Sequence, residues 1–481
     1  MVIITLLLQC ASAQETTVVD TLFGGQKVVI AGKQYERSSL HNFLWGSHYR
    51  KEWATPVKVN SIDIAKVKGG LKPLKAGGGR QTKSLRLEDK NGKQYVLRSI
   101  DKTFGGALPE IFEGTFVERI ANDQVSVAHP YSALTVPSMA EAANVYHTNP
   151  IIVFLPESPT LGEFNKRFAN QLYLFEERPD GDQSDSDNFG NADDVDGTEK
   201  LLRKLTEEND HRVDQESYVR ARLFDMFLSD WGRHEDQWRW ASFDENGFKV
   251  YRPIPRDRDQ TYTKFDGILV SAGAATPQVG YLQSFEADIK NVKTFNYQAR
   301  HLDRQLANEP ILPTWVKIAK ELQTALTDIV IENAIKKLPP EVYPISGPEM
   351  VSKLKSRRDK LDKYAAEYYT FLAKEVEIVG TKEMELFEVS GVSPTETKVN
   401  VFRKNKEGEK KELIYTRSFT SNETNEIRLF GIDGKDEYKV YGNPGDAIKV
   451  RIIGGPGKDN YDDQAIAGSN MNIRLYDNKD N

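Results

Sequence analysis

The chain has 481 residues, of which 39% are hydrophobic and 28% are charged. This length exceeds what one ordinary hydrophobic core supports, so two or three globular domains are expected. The formal net charge of -6 provides no basic footprint, which argues against a nucleic-acid partner.

The first thirteen residues have the pattern of a secretory signal. An apolar run over residues 2–8 leads to Ala11-Ser12-Ala13, a small-residue cleavage pattern. We expect residues 1–13 to be a signal peptide and the product to be exported to the periplasm or cell surface. Lipidation at Cys10 is the less favoured alternative, because the residue before it is not small. After cleavage the chain would contain no cysteine and no disulfide.

A glycine-rich loop and a β-hairpin are predicted after an N-terminal region over residues 14–70. Gly77-Gly78-Gly79 precedes strands expected at 84–88 and 94–98, which flank an Asp-Lys-Asn-Gly turn signal. A helix is expected over residues 109–121, where a proline stands in the first turn. Further strands are predicted at 134–136 and 151–155.

Helical periodicity dominates the middle of the chain. Apolar residues recur at helical spacing over 214–228, which predicts a helix leading directly to Asp230. Further helices are expected near 313–337 and 348–375, the second capped by Ser346 with Glu349 three residues later.

From about residue 379 the pattern changes to that of a β domain with an internal repeat. Residues 427–438 and 450–461 correspond at an offset of 23 residues, and a third copy begins at Ile473. We expect the natural protein to continue past Asn481, because the third copy is incomplete. The segment 454–461 matches a calcium-binding nonapeptide pattern, so Ca²⁺ is one prediction here, and ordinary turn residues are the alternative.

Two acidic clusters are the candidates for chemistry. Asp230, His234, Asp236 and Gln237 form the first cluster, and Asp257 and Asp259 follow the next predicted strand. Phosphoryl transfer requires a group that orients the nucleophile and carboxylates that hold Mg²⁺ on the nucleotide phosphates. We assign Asp230 as the first candidate base, with His234, Asp236 and Gln237 beside it. Asp257 and Asp259 are the candidate metal ligands.

Candidate phosphate-binding residues lie upstream. The backbone of Gly77, Gly78 and Gly79 can approach phosphates closely because glycine lacks a side chain. Arg98 is the candidate strand cation and Lys102 is the alternative. Glu113 or Glu118, on the predicted helix that follows, is expected to pair with that cation. The expected cofactors are therefore Mg²⁺ and ATP.

The run Asp230-Trp231-Gly232-Arg233-His234 resembles the catalytic loop of phosphatidylinositol kinases, HipA-type kinases and CotH-type kinases. The Asp-x-Asp cluster resembles their metal-binding segment. The resemblance implies an α+β fold, a bilobal protein-kinase-like domain followed by the β-repeat domain. The implied boundaries are an N-lobe at 71–160, a mainly helical C-lobe at 161–378 and the β domain at 379–481.

Residues 36–265 also resemble part of a family of large Gram-negative envelope proteins. The similarity is carried by residues 49–57, 95–99 and 145–150 together with the two acidic clusters. Some members also contain a calcineurin-like phosphoesterase and an outer-membrane barrel. This resemblance implies association with the outer membrane.

The first cluster departs from the kinase pattern. In that pattern the catalytic Asp lies about five residues before an Asn, and counting back from Gln237 gives Gly232, which has no side chain. Three functions remain open. One is an exported phosphotransferase, the second is an inactive kinase-fold module for binding or assembly, and the third is a calcium-stabilised surface adhesin. A purely structural role for Arg233 and the neighbouring tryptophans is a third interpretation of the loop.

Overall fold

The computed structural model describes residues 23–77, 82–102, 115–274, 279–442, 447–465 and 472–477. Within these ranges the chain is a mixed α+β protein. A seven-stranded sheet comes first, a four-stranded sheet and a set of helices follow, and a β-rich region comes last. The signal-peptide prediction for residues 1–13 lies outside the described ranges.

The strands of the first sheet are β1 (Phe23–Ile30), β2 (Pro56–Ile62), β3 (Lys72–Gly77), β4 (Thr82–Glu88), β5 (Gln94–Lys102), β6 (Ile151–Leu155) and β7 (Gln171–Glu177). The helices around it are α1 (Ser39–Trp45), α2 (Arg50–Ala54), α3 (Phe116–Asp123), α4 (Val136–Ala142) and α5 (Asn165–Phe168). The spatial order of the strands is β1-β2-β6-β7-β5-β4-β3, so the sheet extends to both sides of the predicted 71–160 boundaries.

The β4–β5 hairpin forms where its turn signal predicts it. The Asp89 carboxylate accepts the backbone N–H groups of Asn91 and Lys93 at 2.8 and 2.9 Å, and Gly92 has a φ of 81°. This arrangement explains the turn, because aspartate bonds backbone two residues on and glycine adopts positive φ without strain.

The prediction of a strand at 134–136 was wrong. These residues span a 3-10 turn at Ser132–Thr135 and the start of α4. Pro137 stands in the first turn of that helix, where its missing N–H is not needed and its fixed φ favours helix initiation. The helix predicted at 109–121 is described only as α3, because residues 103–114 lie outside the described ranges.

The second sheet contains β8 (Asp194–Gly197), β9 (His211–Val213), β10 (Trp238–Glu245) and β11 (Phe248–Pro255), in the order β8-β10-β11-β9. Asn246 and Gly247 join β10 to β11 with φ values of 52° and 81°, as a two-residue hairpin turn requires. The flanking helices are α6 (Thr198–Glu207) and α7 (Gln215–Leu228).

Helix α7 agrees with its prediction. The Asp214 carboxylate caps it by accepting the backbone N–H of Ser217 at 2.9 Å. Ser229 ends the helix in a left-handed conformation, with a φ of 56°, and turns the chain toward Asp230.

The remaining helices are α8 (Ile268–Ala274), α9 (Val292–Phe295), α10 (Arg300–Leu306), α11 (Leu312–Ala325), α12 (Asp328–Ile335), α13 (Tyr343–Arg358) and α14 (Leu361–Leu372). The two long helices predicted at 313–337 and 348–375 are therefore each divided. The hydroxyl of Thr327 caps α12, which explains the first division. No helix among the described residues is long and apolar enough to cross a bilayer.

The capping role predicted for Ser346 was also wrong. Helix α13 begins at Tyr343, with Pro344 in its first turn, so Ser346 lies inside the helix and is buried. Its hydroxyl contacts Nε2 of His129 at 3.2 Å, and Glu349 pairs with Lys353.

The C-terminal strands are β12 (Glu375–Val379), β13 (Glu385–Ser393), β14 (Glu396–Lys404), β15 (Lys410–Thr420), β16 (Glu426–Phe430), β17 (Glu437–Gly442), β18 (Lys449–Ile453), β19 (Asn460–Ala465) and β20 (Ile473–Tyr476). They form two sheets, β12-β16-β18-β20 and β15-β14-β13-β17-β19. Strand pairs β16–β18, β17–β19 and β18–β20 are parallel, with register partners 23 residues apart, such as Ile427 and Val450.

Candidate functional site

The candidate metal ligands lie directly after β11. Asp257 adopts a left-handed conformation, with φ 62° and ψ 56°, and Asp259 lies in the 3-10 turn Arg258–Gln260. Both carboxylates are about one-fifth exposed, at 21% and 20%. The hairpin therefore presents two oxygen-donating groups to the space between the two sheets.

Strand β5 supplies the cations that face these carboxylates. Arg98 Nη1 lies 3.3 Å from Asp257 Oδ2, and the Lys102 ammonium contacts Asp259 Oδ2. Residues 98 and 102 lie on one strand, and both side chains reach the end of the β10–β11 hairpin. Arg98, the predicted strand cation, thus pairs with Asp257, and Lys102, its alternative, pairs with Asp259.

Arg98 also pairs with Glu176, a residue that the sequence analysis missed. Arg98 Nε donates to Glu176 Oε1 at 2.8 Å, and the Thr148 hydroxyl donates to Glu176 Oε2 at 2.6 Å. The available signal was an acidic residue one position before the end of the apolar strand β7, since a buried carboxylate requires a partner. Among the described residues, the carboxylates in contact with Arg98 are those of Glu176 and Asp257.

The two aspartates have opposite electrostatic environments. Burial acts to raise the pKa of Asp257, but the charges of Arg98 and Lys102 outweigh it and hold that pKa well below its usual range. Burial and the neighbouring Asp257 charge raise the pKa of Asp259 to about 6, against the opposing charge of Lys102. Asp257 is therefore the carboxylate that stays ionised over the wider pH range.

Asp230, the candidate base, is held in a buried charge network. Its Oδ2 accepts from Arg233 Nη2 at 2.7 Å and from Arg258 Nη1 at 2.9 Å, and its side chain is fully buried. Arg258 also pairs with Asp225 on α7, which pairs with Arg222 at 2.6 Å. Asp230 Oδ1 is buried without a hydrogen-bond partner among the residues that the structure describes.

Gly232 is the position at which the predicted kinase-like spacing expects a catalytic carboxylate. A Cβ atom built at this position would be 3.2 Å from Cγ of Gln260 and 3.9 Å from Oδ1 of Asp230. The close neighbours are side-chain atoms, so a larger residue would displace the flexible Gln260 and leave the backbone in place.

The other members of the first cluster lie toward solvent. His234 and Asp236 are exposed, and Gln237 is half-buried. Gln237 Nε2 lies 3.3 Å from His234 Nε2, while the Asp236 carbonyl accepts from Arg256 Nη2 at 3.0 Å. Arg233 binds the carbonyls of Arg256 and Asp257 at 2.8 and 3.2 Å, which fixes the loop against the end of β11.

The remaining predicted phosphate-binding residues are only partly described. Gly77 ends β3, while Gly78, Gly79 and Glu113 lie outside the described ranges. Glu118 lies in the first turn of α3. The roles assigned to these residues stay predictions.

A cluster of at least three carboxylate or imidazole ligands would indicate a preformed metal centre. Within the described ranges, Glu208, Asp210 and His211 form such a group, and it lies at the start of β9, away from Asp257. Asp257 and Asp259 lie outside that group, and their role as Mg²⁺ ligands stays a prediction.

No protein-family model and no curated protein matches this chain. A crystal structure of a proinflammatory kinase from Helicobacter pylori, CtkA, is similar over 62% of this chain and 95% of the kinase chain. The sequence identity is 12% and the TM-score is 0.29. At these values the similarity says nothing about activity, so the proposal below depends on the residues of the cleft.

Proposed function

We propose that this chain is a kinase-like domain that binds a magnesium–nucleotide complex in the cleft between β5 and the end of β11, and that it transfers phosphoryl groups weakly or not at all. The observation that carries the proposal is the state of the candidate base. Asp230 is fully buried against Arg233 and Arg258, and Gly232 supplies no carboxylate in its place.

Binding is supported by the residues that face each other across the cleft. Mg²⁺ prefers carboxylate oxygens, and Asp257 and Asp259 offer two partly exposed carboxylates side by side. Arg98 and Lys102 lie against them, where they would contact the phosphate oxygens of a bound nucleotide. Guanidinium and ammonium groups bind phosphate strongly because both partners are charged.

Weak turnover follows from the geometry of the base. A general base must reach the substrate proton with a free lone pair. Asp230 Oδ2 accepts two arginine hydrogen bonds, and the side chain is not accessible to solvent. Asp230 therefore acts in this proposal as the structural anchor of the loop.

The test combines a binding and a turnover measurement on the full chain. With Mg-ATP at 100 times its Kd, mass action should raise the free energy of unfolding by about 2.7 kcal/mol. The double substitution Asp257→Asn and Asp259→Asn should abolish that increase. In the turnover measurement, the natural chain should release phosphate from ATP at a rate near the background. An unchanged melting temperature at millimolar Mg-ATP would reject nucleotide binding.

A second candidate, an active phosphotransferase, is favoured by one observation. Asp230 Oδ1 is a buried acceptor without a hydrogen-bond partner among the described residues, and it faces the space beside Gly232. Transfer of radiolabelled phosphate to the chain or to added protein, lost in Asp230→Asn, would select this candidate. Export, outer-membrane association and calcium binding by the repeats stay predictions from the sequence.

A further inference from the structure

Arginine side chains gather on the face of the first sheet that meets the β10–β11 hairpin. Arg86 pairs in register with Val96, and Arg98 lies two residues beyond Val96, so both arginines leave the same face. Arg178, just after β7, donates its backbone N–H to the Gln94 carbonyl and Nη1 to Gln94 Oε1 at 2.7 Å. The sheet therefore presents three arginines side by side.

The hairpin adds two more arginines from the opposite side. Arg239 pairs in register with Ile254, and Arg256 lies two residues after Ile254, so both belong to one face of the hairpin. The contact of Arg98 with Asp257 at 3.3 Å brings this end of the hairpin against the sheet.

These positive charges act on one another. Burial and the charge of Arg178 lower the pKa values of Arg86 and Arg239. Burying a charge is costly unless an opposite charge pairs with it, so these arginines favour a bound anion.

The carboxylates nearby do not supply that counter-charge in full. Glu176 and Asp257 pair with Arg98, and Asp180 pairs with Arg178. Arg86, Arg239 and Arg256 have no ion-paired carboxylate among the residues that the structure describes. Two of their donors, Nε of Arg239 and Nε of Arg256, are buried without a hydrogen-bond acceptor in that same part of the chain.

We propose that Arg86, Arg239 and Arg256 form an anion site, here called the arginine site, that binds the phosphate groups of a polyphosphorylated small molecule without a metal ion. Guanidinium groups match phosphate oxygens with two parallel hydrogen bonds, and several phosphates are needed to balance several arginines. The arginine site lies beside Asp257 but uses residues other than Asp257 and Asp259, so it does not depend on the proposed function. The phosphates can belong to a linear polyphosphate or to a phosphorylated ring.

The experiment is calorimetric titration of the full chain in EDTA. The probes are inorganic triphosphate, inositol hexakisphosphate and ATP. Arg86→Gln and Arg239→Gln, each alone, should weaken binding of the best probe about tenfold or more. Arg167→Gln, which removes an exposed arginine elsewhere, is the matched control and should leave affinity unchanged.

Each outcome decides the proposal. Binding of triphosphate, of inositol hexakisphosphate or of both supports it and identifies the linear or the ring source. Binding of ATP alone that both arginine variants weaken would support it and identify a nucleoside polyphosphate as the source. No binding of any probe, or affinity unchanged in both arginine variants, would overturn it. If Arg239→Gln lowers the melting temperature of the chain without ligand, its affinity is not interpreted. The affinity of Arg86→Gln, at a half-buried position, then decides the proposal. The stabilisation by Mg-ATP, and its loss in the Asp257→Asn and Asp259→Asn double variant, tests the proposed function separately.

Discussion

At the scale of single residues, Gly232 is the position that separates binding from turnover in the proposed function. The chain keeps an aspartate two residues earlier, but that aspartate completes a buried ion network with Arg233 and Arg258. Removing one member of such a network leaves a buried charge without its partner, which is costly. The network therefore ties Asp230 to a structural role, whatever its role in chemistry.

Gly232→Asp should restore activity if the cleft binds Mg-ATP. General bases contribute roughly 100-fold or more to the rate, so ATP turnover should rise by about that factor. Gln260 lies 3.2 Å from the new Cβ position and must move, and the Asp230 carboxylate lies 3.9 Å from it, so the added buried charge should lower stability. Gly232→Asn adds the same bulk without a base and should stay inactive. Equal rates in the two variants would show that a carboxylate here is not sufficient.

At the scale of elements, the parallel strands of the C-terminal region bring acidic residues of successive 23-residue repeats next to one another. Asp436 Oδ1 accepts the backbone N–H of Glu385, and Asp459, 23 residues further along, accepts the N–H of Asp436 at 2.9 Å. Burial and the charge of Glu385 raise the pKa of Asp436 to about 9. The folded protein therefore keeps a proton there that the unfolded chain loses above about pH 4.

This proton predicts a pH dependence of stability. Because the folded pKa lies above the unfolded value, stability falls as pH rises between them. We therefore expect the free energy of unfolding of Asp436→Asn, minus that of the natural protein, to increase with pH. The increase should be about 1.4 kcal/mol per pH unit between pH 5 and 8. Urea denaturation at three pH values measures this slope. Asp433→Asn, at an exposed position in the same turn, should give a difference that does not vary with pH.

The elements with strong local signals were predictable from the sequence. The β4–β5 turn and α7 have residues that specify them locally, an Asp-x-Asn-Gly turn and an aspartate cap. The breaks in the later helices depend on Thr327 and Pro344, whose effect competes with continuous apolar periodicity. Asp257 and Asp259 were found because they stand together, whereas Glu176 meets Arg98 only through the pairing of β5 with β7.

At the scale of the whole molecule, buried polar contacts join the β-rich region to the preceding lobe. Asn209 donates its backbone N–H to Glu383 and Nδ2 to Glu385, both at 3.0 Å, and accepts from Arg403 at 2.7 Å. The Asn308 carbonyl accepts from the Tyr415 hydroxyl at 3.2 Å. These contacts predict that the two regions unfold together.

Asn209→Ala should uncouple the two regions. It removes hydrogen bonds to the charged groups of Glu385 and Arg403 and should cost about 2–4 kcal/mol. Calorimetry should then resolve two unfolding transitions where the natural chain shows one. Asn422→Ala, at an exposed position in the same β-rich region, should leave a single transition. A single transition in Asn209→Ala as well would mean that other contacts couple the regions.

The pairing of Arg98 with Asp257 and of Lys102 with Asp259 means that the cleft carries its own counter-ions. A divalent cation entering there competes with two side-chain cations for the same oxygens. Dissolved salt screens partly buried ion pairs such as these much less than exposed ones. Moderate ionic strength should therefore do little to release these carboxylates, and a divalent cation should bind best together with a phosphate that takes over Arg98 and Lys102.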